Sequence, residues 1–368
     1  MTSLKTAFII CFTLLLSITT STAQDRFGAI EGGVSDGTGA MFPGVQITVT
    51  NKQTQRVTTV TSAAEGTFSA SNLEPGDYAV RFELKGMAPT EFTNVRVLAG
   101  RTVKVEATLR SGSADAKTEI SDLVFASDTA RTTISRDLDS DQMNRLPNNR
   151  NASYFAITAA GVNTGEIEGG IQANGASGAE NAFYVDGLRT NSIIDGRLRQ
   201  NVPMEYLEQV SIQTAGVPAE HAGALGGVIT AITRTGGNQF HGEGHLYWSG
   251  DALSGAPAHR LVLAPDGTTV SYVQDDKTAF KQYEPGFSIG APLLKDRAYV
   301  FTAISPIRVQ QDQLYRYNSG SQTDVFTRTD TFYSWFTKVS ADISPRVRGD
   351  FGWLYATSKP NGTPACRT

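Results

Sequence analysis

Residues Glu208–Tyr247 read EQVSIQTAGVPAEHAGALGGVITAITRTGGNQFHGEGHLY, and two kinds of strand meet in them. Val210–Gln213 alternates apolar and polar side chains, the pattern of a half-buried strand. Gly226 and Gly227 let the backbone come close to something bulky. Val228–Thr233 (VITAIT) is a β-branched run, the composition of a strand. Thr235–Asn238 (TGGN) is a turn, and a second alternation starts at Phe240. The first part closes a small α/β region and the last opens a sheet of another kind. The Gly226-Gly227 pair is expected where the two meet.

Downstream the alternation persists. Phe240, Gly242, Gly244, Leu246 and Trp248 share one face, with His241, Glu243, His245 and Tyr247 on the other. Tyr283, Pro285, Phe287, Ile289, Ala291 and Leu293 repeat it against Gln282, Glu284, Gly286 and Ser288. Tyr333, Trp335, Thr337, Val339, Ala341 and Ile343 oppose Ser334, Lys338, Ser340 and Asp342. Val347, Gly349, Phe351, Trp353 and Tyr355 oppose Arg348 and Asp350. Strands of a membrane barrel turn apolar side chains outward and polar ones inward. A soluble sandwich has the same period. All three tryptophans lie after residue 240, as aromatic girdles require. No apolar run reaches the roughly 18 residues of a membrane helix, which excludes helical spanning but not a β-barrel.

Upstream, Asp139 or Ser140 caps a short helix that ends before Pro147. Asn151–Ala160 is expected as a second helix with Tyr154, Phe155 and Ile157 inward. Val162–Asn181 and Arg189–Val202 read as long polar loops. Between them Phe183–Asp186 is a strand closed by the Asp186-Gly187 turn. Pro203–Leu207 starts a short helix, and Glu208–Gln213 is the next strand. Helices mixed with short strands make an α+β domain. The motifs Gln142–Pro147, Tyr184–Gly187, Met204–Val210, Gly223–Ile229 and Thr233–Gly236 occur in an order that resembles the plug of TonB-dependent outer-membrane receptors. The resemblance makes Val185, Asp186, Gly187, Gly226, Gly227 and Val228 its plug motif residues. Residues 128–238 are then the plug and 239–368 the start of a transmembrane β-barrel. Plugged barrels of this kind have about 22 strands, and 129 residues hold about five or six of membrane length. The chain ends in Cys366-Arg367-Thr368, without the terminal aromatic that the family uses, so an N-terminal fragment is expected.

Phe27–Arg110 is all β: VQITVT, VTTVT, YAVRFEL and VKVEATL are separated by Asp36-Gly37, Pro43-Gly44, Glu65-Gly66 and Pro75-Gly76. Short strands with regular turns favour a sandwich over residues 24–110. Gly32–Gly44, Glu65–Phe68 and Leu73–Tyr78 resemble the carboxypeptidase regulatory-like family, whose members are grouped with carbohydrate-binding-like folds. No zinc-peptidase motif or visible sugar site accompanies it. That domain, with FHGEGHLY after the plug, most resembles the Oar-like branch of the receptors. Residues 111–127 are a small, polar linker around TEISDLVFAS. There Glu119, Ile120, Ser121, Asp122, Leu123 and Val124 resemble a loose TonB box, which a periplasmic partner recognises by strand addition. Ahead of everything, residues 1–23 read as a signal peptide: Lys5, an apolar core AFIICFTLLLSI, and the small-x-small site Ser21-Thr22-Ala23.

The formal net charge of −4 gives no basic surface for nucleic acid. His241 and His245 have a zinc spacing on a helix, but on a strand they stand about 13 Å apart. GASG at 175–178 does not fit a nucleophile elbow, and no phosphate loop appears. The expectations are therefore no enzyme, no metal and no cofactor. The chain is expected in the outer membrane, in contact with its lipid, with sandwich and plug on the periplasmic side. Its partners are the TonB energy-transducing complex and an unidentified extracellular ligand. The alternative is a periplasmic or surface binding module without transport.

Overall fold

The computed structural model describes residues 26–112, 118–120, 124, 133–146, 150, 152–165, 170–194, 196, 198, 202–219, 221, 223–263, 267–274, 277–316, 323–344 and 347–362. The signal segment lies outside the described residues.

The described residues between 28 and 120 form two facing sheets. One holds β1 (Gly28–Asp36), β4 (Thr67–Leu73), β6 (Met87–Ala88), β8 (Thr102–Lys104) and β9 (Ala107–Ser111). The other runs β10-β7-β5-β2-β3, where these are Thr118–Ile120, Thr90–Val97, Gly76–Glu83, Gln46–Asn51 and Val57–Thr61. Alternate side chains meet between them: Ile30, Val34, Ile47, Val49, Val80, Phe82, Val95 and Val97 are buried in one cluster. Phe82 takes edge-on contacts from Phe68 and Phe92, at 5.4 and 5.9 Å between ring centres.

The plug has a five-stranded sheet ordered β11-β16-β17-β14-β15. Its strands are Ile134–Asp139, Leu207–Ala215, Val228–Thr233, Ala182–Val185 and Leu188–Arg189. Helix α1 (Ser140–Arg145) starts on Asp139, whose side chain accepts the Gln142 N–H while Gln142 answers in a capping box. The second helix, α2 (Ala152–Ala156), is shorter than its sequence suggested. Phe155 is buried as expected, but Tyr154 and Ile157 are only half-buried. The stretch 162–181 is not one long loop: β12 (Val162–Thr164) and β13 (Ile171–Ala173) pair as a hairpin. Every residue of VITAIT in β17 is buried, because the strand has neighbours on both edges and packing on both faces.

The wall begins at β18 (His241–Gly250). A separate hairpin, β19 (Arg260–Leu263) and β20 (Val270–Val273), interrupts the connection to β21 (Phe280–Leu294). β22 (Ala298–Ile304), β23 (Ile307–Arg316), β24 (Thr323–Ser344) and β25 (Val347–Asn361) follow. β22 and β23 act as one strand. Pro306 lacks an N–H and breaks the ladder, but the register does not slip: Ile304 faces Trp335, Ile307 faces Phe332, and the Ser305 N–H reaches the Ser334 carbonyl at 3.0 Å. The sheet is thus an antiparallel meander of five continuous strands.

Its two faces separate cleanly. Directly paired residues share a face, giving rows Trp248–Tyr283–Arg308–Thr331–Lys359 and Phe287–Ile304–Trp335–Tyr355 on the outside. Leu246, Trp248, Phe287, Ile304, Trp335, Phe351, Trp353 and Tyr355 are all exposed there, while Ser288, Phe336, Lys338 and Ser340 on the other face are buried. The architecture is mainly β: a sandwich, an α+β plug and consecutive antiparallel strands of a barrel wall.

Candidate functional site

Plug and wall are joined by a small set of specific contacts. Val185 ends β14 and Leu188 starts β15, leaving a two-residue turn. Asp186 and Gly187 both take positive φ, +48° and +82°, as a primed hairpin turn demands. That turn points the Asp186 carboxylate at the end of β17. It accepts the Thr233 N–H at 2.9 Å and the Thr233 hydroxyl. From the wall, Lys338 Nζ on β24 donates to Asp186 Oδ2 at 3.2 Å, Thr233 Oγ1 at 2.9 Å and the Thr233 carbonyl at 3.3 Å. The Lys338 side chain is 2% exposed, so all three bonds are needed to hold a charge away from water. One turn beyond, Gly236 lies against Val300 so closely that a Cβ would run into the Val300 carbonyl.

Apolar contact surrounds this latch. The Tyr206 ring stacks on Phe336 at 5.6 Å and its hydroxyl donates to the Ser334 carbonyl at 2.9 Å. Nearby, Arg150 pairs with Glu205, approaches Glu284 at 3.6 Å and lies over the Tyr247 ring. His245 is buried against Glu205 at 3.8 Å, and its imidazole sits over the cross-strand Gly286. His241 sits likewise over Gly290. Two successive inward histidines thus each face a glycine that leaves room for the ring.

Gly226 and Gly227 are not at the wall, contrary to the sequence expectation. A Cβ on Gly226 would strike Asn181 Oδ1, and one on Gly227 would stand 3.0 Å from Ala173 Cβ and 3.1 Å from the Gln213 carbonyl. They pack inside the plug, where Asn181 accepts the Gly227 N–H at 2.8 Å. Gly236 occupies the junction instead. Val228 follows as the buried first residue of β17.

β14 and β17 run parallel, Ala182 beside Val228. Their starting ends therefore lie together, opposite the end that carries Thr233. At this far end three loops converge. Asn191 accepts the Phe183 N–H at 2.9 Å and donates to the Asn181 and Gly196 carbonyls at 2.7 and 2.6 Å. The cluster displays Ile193, Ile194 and Leu225 to solvent. Sequence reading marked these loops but not their aliphatic tips.

The sandwich closes the latch end. Gln53 Nε2 donates to the Thr235 carbonyl at 3.0 Å, and the Tyr299 hydroxyl to the Thr54 carbonyl at 3.0 Å. Arg348–Glu74, Arg26–Asp350 and Arg56–Asp342 pair at 2.6, 2.7 and 3.0 Å across the sandwich–wall boundary. Arg96 on β7 binds Asp77 within the sandwich and, through Nη1, the helix-capping Asp139 at 2.9 Å. These acids hold the Arg96 guanidinium firmly protonated. A crevice of about 20 Å³ remains between the three parts, lined by Arg26, Glu74, Glu208, Thr233 and Lys338 among others. Burial pushes the Glu208 carboxyl up from its ordinary value, against the opposing pull of Arg234.

The linker segment is not free. Thr118–Ile120 pairs in parallel with Thr90–Phe92, and Val124 bridges to Val95. Ile120 and Val124 pack on the sandwich core, and Glu119 is exposed. Ser121, Asp122 and Leu123 lie outside the described residues.

Comparison with known proteins accords with this arrangement. The family model for the carboxypeptidase regulatory-like domain matches residues 29–110. The TonB-dependent transporter Oar of Myxococcus xanthus is 29% identical over 269 residues, covering 71% of this chain and 25% of its own length. The chain thus spans a quarter of the length of that relative. The outer membrane transporter YddB from Escherichia coli superposes with a TM-score of 0.50 at 18% identity, over 62% of this chain and 33% of that one, and shares the fold. The chain thus carries a carboxypeptidase regulatory-like domain ahead of a plug and wall, and along most of its length it is similar to the TonB-dependent transporter Oar.

Proposed function

We propose that the chain is the plug-bearing part of an outer-membrane transporter for a scarce extracellular ligand, powered by a TonB complex in the periplasm. The carrying observation is the latch: a plug seated against the wall by one buried charge, Lys338, shared between Asp186 and Thr233. Such a contact is specific enough to set one closed state and small enough to be pulled apart. The outward aromatic and aliphatic rows of the wall suit lipid. The loop cluster at the far end of the plug, with Ile193 and Ile194 at its tips, would face the ligand. The sandwich, at the latch end, would face the periplasm, where Glu119–Val124 meets the partner by strand addition. Carriage of the ligand across the membrane makes and breaks no bond in it, so this reading is transport and not catalysis.

The test uses an intact homologous receptor carrying Ile120→Pro and Val124→Pro at the matching positions. Energised uptake should fall at least tenfold while surface binding of ligand persists. Full energised uptake in the variant would contradict the assignment of the segment.

A further inference from the structure

We infer that the outer face of the wall carries a seat for an anionic lipid whose headgroup bears a phosphate and free hydroxyls, built around Arg308, Pro285 and Pro306. The inference rests on the reading that this face meets lipid, and adds which lipid it selects. Phe287 stands opposite Ile304 and Tyr283 opposite Arg308, so Pro285 faces Pro306 across two strands. In an antiparallel ladder, successive residues turn their N–H and C=O to opposite neighbours. The Ser305 N–H goes to the Ser334 carbonyl on β24, and the Asp312 N–H goes the other way, to the Ala279 carbonyl at 2.9 Å. Counted from either bond, Pro285 and Pro306 turn toward each other. Proline has no N–H, so neither strand gives the other's carbonyl a donor at this point.

A cleft of about 450 Å³ opens at this gap, lined by Tyr283, Pro285, Pro306, Arg308, Gln310 and Thr331. A carbonyl left bare beside acyl chains is costly, and a headgroup hydroxyl supplies the missing donor. The rim supplies charge. Arg308 is exposed on it. Lys281 stands opposite Gln310 on the next outward row, and Lys359 ends the row Tyr283–Arg308–Thr331. The strands of Lys281 and Lys359 lie within about 10 Å of that of Arg308, a span that long side chains bridge. Nearby acids are engaged elsewhere: Glu284 and Asp330 turn inward to Arg150 and Arg328, and Asp312 takes the Thr327 hydroxyl at 2.7 Å.

The rows on either side of the cleft decide between a lipid and a free anion. Toward the latch end the outward residues are apolar: Leu246 beside Pro285, then Phe287, Ile304 and Trp335. Away from it they are polar: Lys281, Gln310 and Thr329. Trp248 and Tyr283 mark the boundary, as girdle aromatics do at a membrane surface. A phosphate held at Arg308 therefore has a path for its acyl chains directly beneath it. A free phosphate would leave that path and the bare carbonyls unused.

The test titrates the full chain in detergent with three lipids and reads bound lipid by native mass spectrometry. Phosphatidylglycerol carries a phosphate and hydroxyls, phosphatidylethanol the same charge without hydroxyls, and phosphatidylcholine no net charge. Affinity should fall in that order. Arg308→Gln should weaken phosphatidylglycerol binding about fivefold, the loss expected for one cation near a lipid surface, and Lys281→Gln with Lys359→Gln should weaken it further. Pro285→Val with Pro306→Val restores both N–H groups and should erase the preference for phosphatidylglycerol over phosphatidylethanol, while the unfolding temperature holds or rises. Equal binding of phosphatidylglycerol and phosphatidylcholine, or unchanged binding in Arg308→Gln, overturns the inference. Equal binding of phosphatidylglycerol and phosphatidylethanol by the unaltered chain overturns the hydroxyl-bearing class. Displacement of the lipid by excess inorganic phosphate overturns the lipid seat and leaves an adventitious anion contact. If brominated phosphatidylcholine fails to quench the wall tryptophans, the lipid-facing reading falls first and takes this inference with it.

Discussion

Lys338 concentrates the energetics of the plug–wall contact. Replacing one partner of a buried ion pair typically costs about 3–5 kcal/mol, because the other charge is left unpaired. Asp186 keeps some access to water, so Lys338→Met should cost about 2–3 kcal/mol in urea unfolding of the plug–wall unit. Asp186→Asn combined with it should cost less than the sum of the two single changes. Strict additivity in that cycle would mean no latch exists. Glu208 gives a pH signature. A carboxyl held above its ordinary value of about 4.3 is protonated more readily in the folded chain. Its contribution therefore favours folding as pH falls toward that value, and turns unfavourable as pH rises through the raised pKa. Glu208→Gln should stabilise the protein at pH 8 and flatten its stability profile above pH 5, as read by thermal unfolding across pH. Asp186 was visible in the sequence as a turn residue. Its role as acceptor for Lys338 was not, because 152 residues separate the two and no local pattern encodes that meeting.

Among the elements, those written by local chemistry were legible. The cap at Asp139, the turn at Asp186-Gly187 and the β-branched run of β17 all follow from residue types at short spacing. Asp139→Ala should cost about 1 kcal/mol from the lost cap alone, and more here because Arg96 loses an acceptor; a loss confined to a few tenths would sever the cap from the sandwich–plug contact. Less legible were elements decided by neighbours. β7 (TEFTNVRV) breaks its own alternation at Asn94, and its importance lies in what pairs with its edge. β12 and β13 are too short to show a period, and form because each completes the other's ladder. The glycine pair was assigned to the wrong surface since a glycine announces close approach without naming what approaches. Asn181, not the wall, is what fills the space.

At the scale of the whole molecule, the sandwich sits at the end of the plug that carries Thr233, and the Asn181–Asn191 loop cluster at the other. If the exposed tips face the ligand, Ile193→Asp with Ile194→Asp should weaken ligand binding by an intact receptor more than tenfold and leave its melting temperature unchanged. Unaltered binding would remove those tips from the ligand site. The wall was legible as an alternation, which a soluble sandwich shares; its outward rows of Trp, Tyr, Phe and Ile are what distinguish it. All three tryptophans, Trp248, Trp335 and Trp353, stand on that outer face. Intrinsic tryptophan fluorescence in reconstituted bilayers is therefore the most direct test of the wall. Brominated acyl chains should quench most of the emission and aqueous iodide little of it. Strong iodide quenching with no effect of brominated lipid would contradict a membrane-spanning sheet.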